Sequence, residues 1–117
     1  MNERTAPAAV ARAFTETWAS HDMDATAGYL ADDVTFEGPG GRSVGKEAYL
    51  QGLSGFAQSV TGLNILAAHG DESEAVIVYE VTTAQPATLT CAELLTFRNG
   101  KIASDRLTFS PRKPPAE

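Results

Sequence analysis

Apolar positions recur in two different rhythms along the chain. In the N-terminal half the spacing is three and four: Val10, Phe14, Thr17 and Trp18 share one face, which predicts a first helix capped by Thr5, tolerating Pro7 in its first turn and ending near Ser20-His21. Asp22 can cap a second, shorter helix in which Met23, Ala27 and Leu30 align with Tyr29 beside them, closed by Ala31-Asp32-Asp33. Val34-Thr-Phe-Glu37 reads as a short strand broken at once by Gly38-Pro-Gly-Gly41, a loop placed to lie over a cavity. Tyr49, Leu53, Phe56 and Val60 return to helical spacing over Lys46 to Val60, but Gly52 and Gly55 each cost about 1 kcal/mol relative to Ala. That third helix therefore depends on packing against a sheet.

The second half changes rhythm. Leu63 to His69, Glu74 to Thr83, Thr88 to Arg98 and Lys101 to Ser110 are rich in Val, Ile, Thr, Leu and Phe and are separated by turn residues, which predicts four consecutive antiparallel strands. Asn99-Gly100 is the strongest local signal, because a two-residue type I′ turn needs positive φ at both positions. Helices first and a meander last imply an α+β fold: three N-terminal helices on a curved, mainly antiparallel sheet, a cone with an open mouth enclosing a pocket. The Pro-rich tail Ser110 to Glu117 is expected to be frayed or extended.

Alternation isolates two acids. Cys91, Glu93, Leu95 and Phe97 share a face, so Glu93 is the one charge in an apolar row. Two readings stand: Glu93 faces the pocket, where desolvation would raise its pKa into a useful range, or Ala92, Leu94 and Thr96 point inward and Glu93 lies outside. On the last strand the more apolar set is Ala103, Asp105, Leu107 and Phe109, which would place Asp105 inward. Counting out from the two-residue turn pairs Thr96 with Ala103 and Leu94 with Asp105, which sends Glu93 and Asp105 to opposite sides. A bulge beside the turn would reverse that result.

Composition narrows the field. One hundred and seventeen residues make one domain, and a net charge of −6 without a Lys/Arg cluster argues against nucleic acid and against anionic membranes. There is no basic, apolar leader at Met1 to Ala9 and no membrane-length apolar run, so the expected location is the cytoplasm. A lone Cys91 reads as a small buried hydrophobe, and with His21 and His69 scattered and exposed no Cys/His zinc site is expected. Phe14, Trp18, Tyr29, Phe36, Phe56, Tyr79 and Leu107 are candidates to line the cavity and hold a substrate, with ordinary core packing as the alternative.

The order of elements, with Trp18-Ala-Ser-His-Asp22, Tyr29-Leu-Ala-Asp-Asp-Val-Thr-Phe36, Gly45 ahead of helix three and Phe97-Arg-Asn-Gly-Lys-Ile102, resembles the nuclear transport factor 2-like superfamily. Within it the chain is most similar to SnoaL-like proteins and ketosteroid isomerases, over roughly residues 8 to 109 of a single domain spanning 1–117. The resemblance implies a small-molecule pocket, and in this superfamily the outer sheet face, here Val76, Val78, Glu80 and Thr82, pairs subunits, so a homodimer is expected. Its reactions are diverse. Ketosteroid isomerase relies on an Asp base and on a Tyr with a protonated Asp. By this matching the Tyr falls on Phe14 and the base on Gly38, and only the acid of the penultimate strand persists, as Glu93. The Arg-x-Asp element of limonene epoxide hydrolase-like members is missing. A SnoaL-like cyclase acid on the final strand would be Asp105.

The reading carried forward is cofactor-independent acid/base chemistry by Asp105 and Glu93 on a small apolar cyclic or polyketide-like molecule. Two alternatives remain open: a ligand-binding protein that has lost its reactive groups, and a dimeric interaction module.

Overall fold

The computed structural model describes residues 6–84 and 87–112. Three helices, α1 (Pro7–Ala19), α2 (Met23–Ala27) and α3 (Lys46–Ala57), combine with six strands: β1 (Leu30–Gly38), β2 (Gly41–Val44), β3 (Val60–Gly70), β4 (Glu74–Thr83), β5 (Thr88–Arg98) and β6 (Lys101–Arg112). The strands form one sheet in the order β2-β1-β6-β5-β4-β3. All neighbours are antiparallel except β1 and β6, which run parallel. The fold is thus α+β with a mostly antiparallel sheet, as expected.

Helix α1 lays Val10, Ala11, Phe14 and Trp18 across β3 and β4, and α3 covers β1 and β2. The inner row of β4, Ala75, Ile77, Tyr79 and Val81, is buried throughout and forms the floor of the core. Asp22 caps α2 by accepting from the Ala25 amide at 3.1 Å. The expected Thr5 cap of α1 lies outside the described residues, as do the last five residues of the Pro-rich tail; Ala6 occupies the cap position and offers no side-chain bond.

Several boundaries differ from the expectation. Helix α2 stops at Ala27, and Leu30 opens β1, because a 2% exposed Leu30 is held beside Ile102 of β6, which bonds the Tyr29 carbonyl at 2.8 Å. Helix α3 is not N-terminal to the sheet: it follows β1 and β2, and Val60 belongs to β3. The segment after Gly38 is a tight hairpin whose second arm, β2, pairs Thr35 with Val44 through Gly38 with Gly41. The parallel β1–β6 contact had no local signal, since it joins segments far apart in sequence.

Asn99 (φ 53°) and Gly100 (φ 78°) both adopt positive φ, so the turn between β5 and β6 is the expected one. Beyond it the pairing runs Arg98 with Lys101 and Phe97 with Ile102, then jumps to Thr96 with Ser104. Ala103 is the extra residue of a β-bulge, and from there on Leu95 opposes Asp105 and Glu93 opposes Leu107. The regular two-residue count is therefore wrong beyond Ile102. The reason is steric economy: Ile102 and Asp105, three residues apart, are 0% and 2% exposed, and strict alternation cannot bury both.

Candidate functional site

The bulge decides the chemistry of the inner face. Glu93 and Asp105 now project from neighbouring strands on the same side of the sheet, as diagonal neighbours two pairs apart along the ladder. Both are buried, at 5% and 2% exposure. The reading that placed them on opposite faces is corrected, and so is the alternative in which Ala92, Leu94 and Thr96 pointed inward: Leu94 is exposed.

Each carboxyl is held by a tyrosine. Tyr79, opposite Cys91 on β4, donates its hydroxyl to Glu93 Oε2 at 2.6 Å. Tyr49 on α3 donates to Asp105 Oδ2. Asp105 Oδ1 is buried and accepts from no described amide or hydroxyl, while the Asp105 carboxyl as a whole lies within hydrogen-bonding reach of Glu93. A buried polar atom costs free energy unless something supplies a partner, and the neighbouring Glu93 carboxyl is the nearest chemical candidate in the fold.

Burial pushes the Asp105 carboxyl well above the usual carboxylate range, the negative charge of Glu93 and a hydrogen bond between the two carboxyl groups add to the effect, and the Tyr49 hydroxyl pulls the other way. Burial likewise raises the Tyr49 and Tyr79 hydroxyls, reinforced by the same two carboxylates, so both remain donors. The Cys91 thiol is pushed up to about 11 by burial first and by Glu93 second, which makes it a small apolar wall group.

The pair lies in a cavity of about 550 Å³ with mostly apolar walls. That volume is in the range of small-molecule sites. Trp18, Phe36, Phe56, Tyr79 and Leu107 line it, as expected, together with Glu93 and Asp105. Trp18 stands with its ring centroid 5.9 Å from Phe56 and 5.6 Å from Tyr79, and so joins the helix side to the sheet side. Phe14 and Tyr29 do not line the cavity. Phe14 is fully buried one layer behind it, 6.4 Å from the Tyr49 ring, and Tyr29 packs edge-on against Phe14 at 6.2 Å. Among the described residues no three His, Cys, Asp or Glu side chains converge as metal ligands would.

Sequence reasoning missed Tyr49. Its position at helical spacing among Leu53 and Phe56 marks it as core, and it is, at 5% exposure. The available signal was chemical: a Tyr on a buried face needs an acceptor for its hydroxyl, and an acid on a facing strand is the obvious supply.

Gly38 carries more weight than an absent acid. A Cβ built there would come within 2.8 Å of Phe36 Cζ, so the Phe36 ring fills the space a side chain would need. A side chain at the position that the ketosteroid isomerase resemblance assigns to the base would require the Phe36 ring to move aside.

Solved structures of similar architecture agree with the fold. A protein of Kribbella flavida DSM 17836 is 28% identical, with a TM-score of 0.87 over 91% of this chain and 88% of that one. A second protein of that organism, provisionally assigned as a ketosteroid isomerase, is 23% identical with a TM-score of 0.77, covering 98% of this chain and 84% of the other. A de novo designed protein with a curved β-sheet superposes with a TM-score of 0.83 at 19% identity, over 94% and 88% of the two chains. No curated protein matches the sequence significantly. A fold by itself implies no particular reaction. The family profile described as SnoaL-like domain matches residues 11–104, from the middle of α1 to the residue before Asp105, and by that match the chain belongs to the SnoaL-like domain family.

Proposed function

We propose that the chain admits a small apolar carbonyl compound to the cavity and moves a proton on it, as isomerases and cyclases of this fold do, with Glu93 and Asp105 as the working acids. The observation that carries this reading is the adjacency of two buried carboxyls, each fixed by a tyrosine, at one end of an apolar cavity. Asp105, whose protonated form burial favours, exchanges its contact with Glu93 for the ligand carbonyl and donates a hydrogen bond to the oxyanion that forms. Glu93 accepts the proton released from the carbon next to the carbonyl and returns it to the same or a conjugated carbon, so no group is gained or lost and no cofactor is required. Apolar walls exclude water and strengthen both interactions.

The test is exchange. Cyclohex-2-enone and cyclohexane-1,3-dione, incubated with the protein in D2O and followed by proton NMR, should lose their α-protons faster than in buffer. Glu93→Gln and Asp105→Asn should each reduce the protein-dependent rate by roughly 10²–10⁴. No acceleration by the wild type across a panel of cyclic ketones would sink the acid/base reading.

One observation favours a second reading. Gly38, with the Phe36 ring against it, supplies no acid at the place of the familiar base, which suits a protein that holds its ligand without turnover. Saturable chemical-shift changes at Trp18 and Tyr79 without any exchange would select it.

A further inference from the structure

Helix α3 carries two glycines in its interior, Gly52 and Gly55, where alanine would make a more stable helix. A glycine inside a helix usually answers a need for positive φ, a close approach by a neighbour, or a terminus. Neither residue meets one of these. Both have ordinary φ and lie within Lys46–Ala57, with Gln58 as the cap. A Cβ built at either meets no described atom within 4 Å, the helix's own backbone aside.

What separates the two is where a side chain would go. At about 100° per residue around the helix axis, position 52 falls between Ala48 on one side and Tyr49 and Phe56 on the other. All three line the cavity, as Gly52 itself does. A side chain at 52 would therefore project into the cavity. Position 55 falls farther round, beyond Ala48, on an exposed face and outside the cavity lining.

On the reading that this cavity takes a carbonyl compound, we propose that Gly52 sets which compounds fit: an apolar substituent of the ligand fills the space that the missing side chain leaves, so the ligand is a ketone larger than one ring. The geometry orders such a ligand. Its carbonyl is held at Asp105, to which Tyr49 donates, and Gly52 stands about one helical turn beyond Tyr49 along α3, toward Phe56. A ring anchored at the acids thus turns its far side to Gly52. The side chains flanking the position, Ala48, Leu53 and Phe56, offer no hydrogen-bonding group, so an apolar substituent is the match. The volume of about 550 Å³ is that of a site for drug-sized molecules and leaves room past a single ring.

Calorimetric titration of cyclohexanone and of 4-phenylcyclohexanone into the intact chain tests this, with thermal unfolding of each variant alongside. The wild type should bind the phenyl compound about tenfold more tightly. Gly52→Leu should reduce that preference about tenfold by weakening the phenyl compound, and Gly52→Ala roughly threefold, because an overfilled site costs more with each added carbon. Gly55→Leu removes the other glycine and should leave the preference as it is in the wild type. Position 52 is exposed, so these changes leave the packed core intact, and all three variants should melt about 3–6 °C higher than the wild type through the loss of a helical glycine. A Gly52→Leu chain that keeps the wild-type preference, or that loses both ketones equally, overturns the inference. So does a lowered melting temperature in Gly52→Ala, which would assign the glycine to packing. Equal binding of both ketones by the wild type overturns it too while leaving the acid/base reading in place, and binding of neither removes both together.

Discussion

Two of the β-bulges in this sheet, the second of two in β3 and the one in β6, serve the same geometric purpose and end in different roles. In β3, Ile65 opposes Tyr79 and Ala67 opposes Val78, which leaves Leu66 as the extra residue. In β6, Ala103 is the extra residue between Ile102 and Ser104. Each bulge lets two residues three apart, Ile65 with Ala68 and Ile102 with Asp105, turn to the same face. The β3 bulge lies on an edge strand, so only one ladder is interrupted and Leu66 is pushed 51% into solvent. The β6 bulge lies between two strands, and the β1 ladder breaks with it, from Leu30 opposite Ile102 to Thr35 opposite Ser104. An interior bulge disturbs two neighbours at once, and here what it delivers is a second carboxyl beside Glu93.

The comparison can be broken most severely by changing the count of residues before Asp105. Removing Ala103 alone should straighten β6 while leaving Ser104 opposite Thr96 and Asp105 opposite Leu95, so the carboxyl pair survives. Removing Ala103 together with Ser104 should bring Asp105 opposite Thr96, on the outer face, and drive Arg106 inward. The double deletion should cost on the order of 3–5 kcal/mol and abolish ketone binding, as expected for a misplaced charge and a shifted apolar row. Urea unfolding and a ligand titration on both variants check this. A double deletion as stable as the single one would show that the number of residues between Ile102 and Asp105 does not set the face of Asp105.

The next effect concerns the hydroxyl that meets the re-aimed acid. Tyr49→Phe keeps the ring packed 5.7 Å from Phe36 and removes only the donor to Asp105 Oδ2. The buried carboxyl would lose its hydroxyl donor and keep only Glu93 beside it, at a cost of about 1–3 kcal/mol in chemical unfolding. A loss under a few tenths of a kcal/mol would mean that water serves Asp105 equally well.

Much of this arrangement could be read in the amino acids, and the division follows range. The helical spacing of Val10, Phe14 and Trp18, the Asp22 cap and the Asn99-Gly100 turn are settled by neighbours within a few residues, and they appear where the pattern puts them. The apolar row around Glu93 was also legible, because β5 is regular over that stretch. The phase of β6 was not. Ile102 and Leu107 are both apolar and out of phase, a conflict that itself signals a bulge, but locating the extra residue requires knowing which neighbours bury Ile102. Tyr49 and the parallel β1 contact depend in the same way on how distant segments dock. Phe14 and Tyr29 were aromatic enough for a cavity wall, and only the layering of α1 on the sheet shows that they stand behind it.

Acidity offers a gentler probe. Because burial and Glu93 raise the Asp105 carboxyl in the folded chain, the folded state holds a proton there that the unfolded state releases near pH 3.9. Stability from this group is therefore full below the unfolded value and declines as pH rises toward the folded one, with a slope of at most about 1.4 kcal/mol per pH unit. Asp105→Asn cannot ionise, so its stability relative to the wild type should grow as pH is raised from 4 in a series of urea titrations. Should the wild type gain on the variant instead, Asp105 is ionised in the fold and its proposed role as hydrogen-bond donor fails.

The edge bulge supplies the smallest effect and the sharpest control. Leu66 points away from the core, so Leu66→Ser should leave unfolding stability within about 0.5 kcal/mol of the wild type, the usual range for a surface site. Val76 and Leu94 are exposed on the outer face of the same sheet, and an apolar surface of that kind can be covered by a second copy of the chain. The two cases separate by dilution. If the Leu66→Ser loss is negligible at every protein concentration, the β3 bulge does no more than keep Ile65 and Ala68 in phase. A loss that appears only at high concentration, where sedimentation also reports a dimer, would place Leu66 at a contact between copies, and the edge bulge would then have a surface role to set against the buried one of Ala103.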